Sequence, residues 1–142
     1  MNLVQQVLSR KGAAAVTVSP NTSVYEALQI MAEKNIGSVI VMQDDTYLGI
    51  VTERDYSRKV ILQNKHSDTT LVSDIMTADL PHVSPDNTID HCMELMTSNN
   101  IRYLPVFENN RLAGIISMSD VVKATIHSQQ QTINHLNEYL YS

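Results

Sequence analysis

The sequence contains no Trp, a single Phe and a single Cys, and each shortage closes off a class of structure. With Cys92 as the only cysteine, neither an intramolecular disulfide nor a cysteine-built zinc framework can form. Hydrophobic residues make up 43% of the chain but aromatics only 5%, so a core is available and has to be aliphatic. Positive charge is also scarce, with 10 Lys and Arg against 15 Asp and Glu and a net charge of -5. A nucleic-acid-binding face needs clustered Lys and Arg to displace counterions, so no nucleic acid is expected as a partner. A small anion held by a few local cations is compatible with that balance. No stretch approaches the roughly 18 apolar residues of a membrane-spanning helix, so no membrane partner is expected. The opening residues Met1 to Leu8 lack a basic head and a long apolar run. No signal peptide is therefore expected, and the expected location is the cytoplasm.

At 142 residues the chain has room for one compact domain or two half-sized units sharing a core. Internal repetition favours the second. Shifted by 65 residues, the sequence matches itself without gaps from about Val18 to Thr125. Val18-Ser19-Pro20 falls on Val83-Ser84-Pro85, Met31 on Met96, and Asn35-Ile36 on Asn100-Ile101. Val41 falls on Val106, Gly49-Ile50 on Gly114-Ile115, and Asp55 on Asp120. The apolar pattern between these 10 identities coincides almost throughout.

Each copy then reads alike. Val24, Ala27, Leu28 and Met31 follow helical spacing, as do Ile89, Cys92, Met93 and Met96. Ser23 followed by Glu26 fits a capping box, with Pro20 or Pro85 stopping any earlier element. Short β-rich runs follow at Ser38 to Met42 and Leu104 to Phe107, then turns at Asp44-Asp45 and Asn109-Asn110. Second strands are predicted through Tyr47 to Val51 and Leu112 to Ile116, with helices opening near Arg54 and Ser119. The fold expected is α+β: two pseudo-symmetric βαββα repeats, over residues 9–64 and 74–128, packed face to face through their sheets. Asn64 to Asp74 reads as a polar linker, and Ser73-Asp74-Ile75-Met76 as a helical turn leading into the second repeat. Residues 1–8 form an N-terminal segment with a short apolar stripe at Leu3, Val4, Val7 and Leu8. Residues 129–142 read as a C-terminal helical tail, with Ile126, Ile133, Leu136 and Leu140 near helical spacing.

Chemistry concentrates where the second strand of each copy meets its helix. There the chain reads Gly49-Ile50-Val51-Thr52-Glu53-Arg54-Asp55 and Gly114-Ile115-Ile116-Ser117-Met118-Ser119-Asp120. Free N–H groups at a helix start attract anions, and a hydroxyl adds a donor. An Asp three residues on can accept hydrogen bonds from neighbouring hydroxyls such as those of a ribose, and Gly leaves room for a flat ring. The competing reading is purely local: Thr52 and Ser119 make good N-caps, and Asp55 and Asp120 suit a first helical turn. A duplicated fold duplicates its caps, so repetition leaves both readings open.

The repeat resembles the cystathionine-β-synthase (CBS) domain, and the tandem resembles a CBS pair, or Bateman module, over about residues 10–127. The segment Gly49 to Val60 is similar to that of stand-alone bacterial CBS-pair proteins, and Ile101-Arg102-Tyr103-Leu104-Pro105-Val106 is also typical. The resemblance implies a regulatory sensor that binds an adenosine-containing molecule (AMP, ADP, ATP, NAD or S-adenosylmethionine) in clefts between the repeats. Carried over residue by residue, it implies one site with Thr52, Asp55, Ile50, Ile101 and Arg102. The other would use Ser117, Asp120, Val16, Ile36, Gly37 and Ile115. Arg54, Arg58 and Lys59 add cations to the first site, whereas only Lys11 and Lys123 are available to the second, so the Asp55 site is expected to hold phosphate more tightly. A homodimer and a separate, unidentified effector protein are further implications.

No enzyme activity is expected, because neither a positioned acid–base pair nor a nucleophile elbow is present, and no catalytic residue or catalytic cofactor is assigned. The five His residues at 66, 82, 91, 127 and 135 lack metal-ligand spacing, so no metal site is assigned. The alternatives are a ligand-free structural dimerisation module, or a regulatory piece acting on a separate enzyme such as inosine monophosphate dehydrogenase.

Overall fold

A computed structural model describes residues 2–12 and 15–141. The fold is α+β and carries the two expected repeats. Two compact units divide the chain: Ala14–Leu80, and Met1–Ala13 together with Pro81–Ser142.

The first unit contains β1 (Thr17–Val18), α2 (Val24–Lys34), β2 (Ser38–Gln43), β3 (Thr46–Thr52), α3 (Glu53–Lys59) and α4 (Val72–Ile75). Its sheet order is β1-β2-β3, with β1 parallel to β2 and β3 antiparallel. The second contains α1 (Val4–Lys11), α5 (Ile89–Asn99), β4 (Tyr103–Glu108), β5 (Arg111–Ser117) and α6 (Met118–Tyr141). There β4 and β5 pair antiparallel, and Val83 bridges Val106 in parallel where Val18 pairs with Val41 in the first unit.

Local chemistry explains the element boundaries. Ser23 Oγ accepts from the Glu26 N–H at 3.1 Å, and Thr88 Oγ1 accepts from the His91 N–H at 3.1 Å, so each central helix has a side-chain cap. Both helices end on an asparagine in the left-handed region, Asn35 at φ 54° and Asn100 at φ 52°. In the second hairpin Asn109 (φ 52°) and Asn110 (φ 64°) both take positive φ, as a type I′ turn requires.

The two short helices pack in crossed order. Helix α1 places Val4 and Val7 in the core of the second repeat, among Val83, Ile89, Met96 and Leu104. Helix α4 places Val72 and Ile75 in the core of the first, among Val24, Met31, Val39 and Val51. Matching backbone bonds fasten them: Val4 N–H to Asn87 O (2.9 Å) parallels Val72 N–H to Thr22 O (2.9 Å), and Ile89 N–H to Asn2 O parallels Val24 N–H to Thr70 O. The turn expected to lead into the second repeat therefore forms but belongs to the first. The N-terminal stripe likewise serves the second. Both strand glycines face these segments. A Cβ on Gly49 would lie 2.8 Å from Thr77 O, and one on Gly114 would lie 2.8 Å from Leu8 Cδ2. At Gly49 it is close packing against backbone, rather than room for a flat ring, that demands glycine, whereas at Gly114 the neighbour is the end of a leucine side chain, which can move.

Cys92 is fully buried in the second core, and burial pushes its thiol up to about 11. Because the thiolate is the reactive species, native protein at pH 8 should resist a thiol reagent that modifies urea-unfolded protein quickly. Burial also raises the Tyr47 phenol to about 12. Both groups are raised, so their contribution to stability is complete below pH 9.0 for the thiol and 10.0 for the phenol, and disappears as pH climbs through about 11 and 12. Rapid modification of the folded protein at pH 8 would contradict this burial.

Candidate functional site

The strand-to-helix junction of the first unit is built by β3 and α3. Thr52 caps α3, its Oγ1 accepting from the Asp55 N–H at 3.1 Å. Asp55, a residue only 9% exposed, answers with Oδ2, which accepts from the Thr52 N–H at 2.9 Å and from the Thr52 hydroxyl at 3.0 Å. Its Oδ1 faces the other way, towards the Thr77 hydroxyl at 3.3 Å and the Lys59 ammonium at 3.1 Å. Lys59 also donates to Ile75 O at 2.9 Å. The Glu53 N–H donates to Gly37 O, so Gly37 and the preceding Ile36 border this junction. Ile50 is fully buried and exchanges both backbone hydrogen bonds with Thr77, at 3.0 and 2.9 Å. Arg58 is exposed on α3, Arg54 is partly buried, and Val16 is half-buried, its carbonyl accepting from the Ile40 N–H.

The second junction repeats the plan with different accessories. Ser117 Oγ accepts from the Asp120 N–H at 3.1 Å, while Asp120 Oδ2 accepts from the Ser117 N–H at 2.9 Å. The same Oδ2 pairs with the Lys11 ammonium at 2.9 Å, and Lys11 donates a further bond to Ile115 O at 3.0 Å. The Met118 N–H donates to Arg102 O, which brings Ile101 and Arg102 to the edge of this junction within their own unit. Helix α6 begins at Met118, so the cap is Ser117, the counterpart of Thr52, and not the expected Ser119. Lys123 is exposed on α6.

Capping thus accounts for one oxygen of each carboxylate. It does not account for the lysine on each, and the two lysines come from non-equivalent places, α1 and α3. Lys59 faces Asp55, Ile75 and Thr77, where the cation count had suggested a phosphate contact. Thr77 was missed altogether. Its signal lies in Leu71-Val72-Ser73-Asp74-Ile75, which echoes Leu3-Val4-Gln5-Gln6-Val7 at a shift of 68, three more than the main repeat. A depression of about 550 Å³ lined by residues such as Asn2, Gln6, Arg10 and His127 contains none of these junction residues. Among the described residues, no three His, Cys, Asp or Glu side chains gather as a metal-binding group, and no helix is long and apolar enough to cross a membrane.

A family model described as CBS domain matches the chain twice, over residues 5–61 and 72–127. The chain belongs to the CBS domain family. It is a tandem CBS pair, and each matched stretch starts within or at the short helix that packs in the other unit. A protein with CBS domains from Burkholderia ambifaria MC40-6 is 45% identical with a TM-score of 0.85, the match covering 90% of this chain and 96% of that one. CBS domain-containing protein CBSX3, mitochondrial, of Arabidopsis thaliana is 35% identical over 96% of this chain and 71% of its own. A hexameric CBS-CP12 protein from bloom-forming cyanobacteria is 30% identical with a TM-score of 0.74, covering 86% of this chain and 70% of that one. CBS pairs are regulatory modules that often bind adenosine ligands.

Proposed function

We propose that this CBS pair is a cytoplasmic, non-catalytic sensor of adenine nucleotides whose two junctions hold the ribose at Asp55 and Asp120 and the phosphate near Thr52 and Ser117. The observation that carries this reading is the repeated group of a mostly buried carboxylate, a Ser or Thr hydroxyl at a strand-to-helix turn, and a lysine ammonium within 3.1 Å. A ribose diol supplies two donors suited to the carboxylate, and a phosphate suits the cation and hydroxyl. Ile50, Ile115, Ile36, Ile101, Val16 and Gly37 are the proposed surroundings of the adenine, with Arg54, Arg58, Arg102 and Lys11 supplying positive charge. The ligand signals by binding one conformation of the module better than another, and a separate effector protein reads that change.

The test is thermal unfolding with AMP, ADP, ATP, NAD and S-adenosylmethionine at about 1 mM. A nucleotide at roughly 100 times its Kd adds about 2.7 kcal/mol, a rise of several degrees in Tm. Asp120→Ala should weaken that nucleotide about 10- to 150-fold, because it deletes charge-assisted hydrogen bonds to the ribose. A Tm unmoved by all five ligands overturns the sensor in favour of a structural module.

The sensor is also proposed to be a homodimer, joined along the exposed face of α6. Val122, Ile126, Ile133, Leu136 and Leu140, all 46% exposed or more, lie on one line of that helix.

A further inference from the structure

The two junctions differ in how their carboxylates are engaged. A carboxylate offers about four acceptor positions. At Asp55 four donors fill them: the Thr52 N–H and hydroxyl on Oδ2, and the Thr77 hydroxyl and Lys59 ammonium on Oδ1. At Asp120 the donors described, the Ser117 N–H and the Lys11 ammonium, both lie on Oδ2. A ribose diol needs two acceptor positions. Asp120 can offer Oδ1 with its present contacts intact, whereas Asp55 has to exchange partners first.

The partners it would exchange are not casual. Lys59 donates to Ile75 O at 2.9 Å and lies 3.5 Å from Thr77 Oγ1, and Thr77 is paired through its backbone to Ile50 in both directions. Asp55 is therefore the point at which α3 is tied to the segment Ile75–Thr77, immediately after α4. We propose that Lys59 and Thr77 form a latch on Asp55, so that the Asp120 junction fills first and nucleotide at the Asp55 junction has to release Ile75–Thr77 from α3. This rests on the nucleotide reading above and reverses the order that the count of cations suggests. It also gives the Asp55 site a mechanical output: occupancy there frees the segment that follows α4.

The experiment isolates the Asp55 junction in an Asp120→Ala background and titrates the full chain calorimetrically with adenosine, which has the diol but no phosphate. Thr77→Val keeps shape and removes one competing hydroxyl, so adenosine affinity should rise about tenfold. Lys59→Met should also raise it, and should raise AMP affinity less, because it removes the ammonium that, once displaced from Asp55, would meet the AMP phosphate in the wild-type chain. Circular dichroism checks that both variants fold; if Lys59→Met does not, Thr77→Val, which retains the ion pair, carries the test. Amide exchange at Thr77 should accelerate when adenosine fills this junction. Unchanged or lower adenosine affinity in Thr77→Val overturns the latch while leaving the sensor intact, provided AMP still binds the wild-type chain. No binding of adenosine or AMP to any form overturns both.

Discussion

Val4→Asp should destabilise the protein by about 3–5 kcal/mol, a large part of the total stability of an ordinary domain. Val4 is fully buried on α1, within the core that also holds Cys92. The substitution forfeits about 1.5–3 kcal/mol of apolar burial and forces a carboxylate in among Val83, Ile89, Met96 and Leu104. Gln5→Asp is the matched control. Its side chain is exposed one position along the same helix, and an acidic residue in a first turn is neutral or favourable by up to about 0.5 kcal/mol. Urea unfolding measures both, and thiol labelling locates the damage, since loss of this core should make Cys92 reactive. If Val4→Asp lies within about 1 kcal/mol of wild type, α1 is not the core element described.

Ile133→Lys combined with Leu136→Lys should weaken self-association more than 100-fold without lowering the stability of the subunit. Val122, Ile126, Gln129, Ile133, Leu136 and Leu140 alternate at intervals of four and three, the spacing of a two-stranded coiled-coil seam. The line spans about 27 Å of helix. Its five aliphatic side chains expose between 46% and 69% of their area, on the order of 300 Å² of apolar surface per chain. Two copies with their flanking polar groups reach roughly the 1,000 Å² at the lower limit of specific interfaces. Beside the seam beyond Ile126 the residues are Gln130, Thr132, Asn137 and Tyr139, so a second copy meets no like charge. A parallel, in-register pairing sets Gln129 against its own copy, where the two amides satisfy each other; an antiparallel one sets it against Ile133. The stretch from His127 to Leu140 is almost wholly exposed, and an isolated helix of that length is marginal in water. Sedimentation of wild type and double variant provides the measurement. A monomeric wild type at micromolar concentration, or a dimer indifferent to the lysines, would sink the seam.

The repeated strand–helix–strand–strand–helix order was legible because each of its signals is local. Ser23 and Thr88 cap the residues three ahead, Asn109-Asn110 turns the chain in two residues, and helical spacing marks the buried faces of α2 and α5. The crossed helices were not legible. Helix α4 has 4 residues and α1 has 8, too short for periodicity to declare a partner, and their bonds to Thr22 and Asn87 join distant parts of the chain. Their echo was hidden by the change of shift from 65 to 68. At the candidate site, Thr52, Asp55 and Asp120 stood out from their spacing, but the cap was misplaced by two residues, from Ser117 to Ser119. The bond from Thr77 to Asp55 spans 22 residues. It depends on where α4 docks, and no local pattern encodes that.

The crossed packing also sets an order of events on the ribosome. Everything the first unit needs has been made once Leu80 emerges, so its sheet can close with α4 in place while synthesis continues. Helix α1 has no such luck, because Leu104, Ile116 and Val121, against which Val4 and Val7 belong, come roughly a hundred residues later. At about 5–20 residues per second, that interval lasts on the order of 5–20 s. A two-turn helix does not persist alone in water, so α1 waits unfolded until the strands and helix of its own unit have been made. Until then Val4 and Val7 have no core to enter, and their apolar surface stays in water.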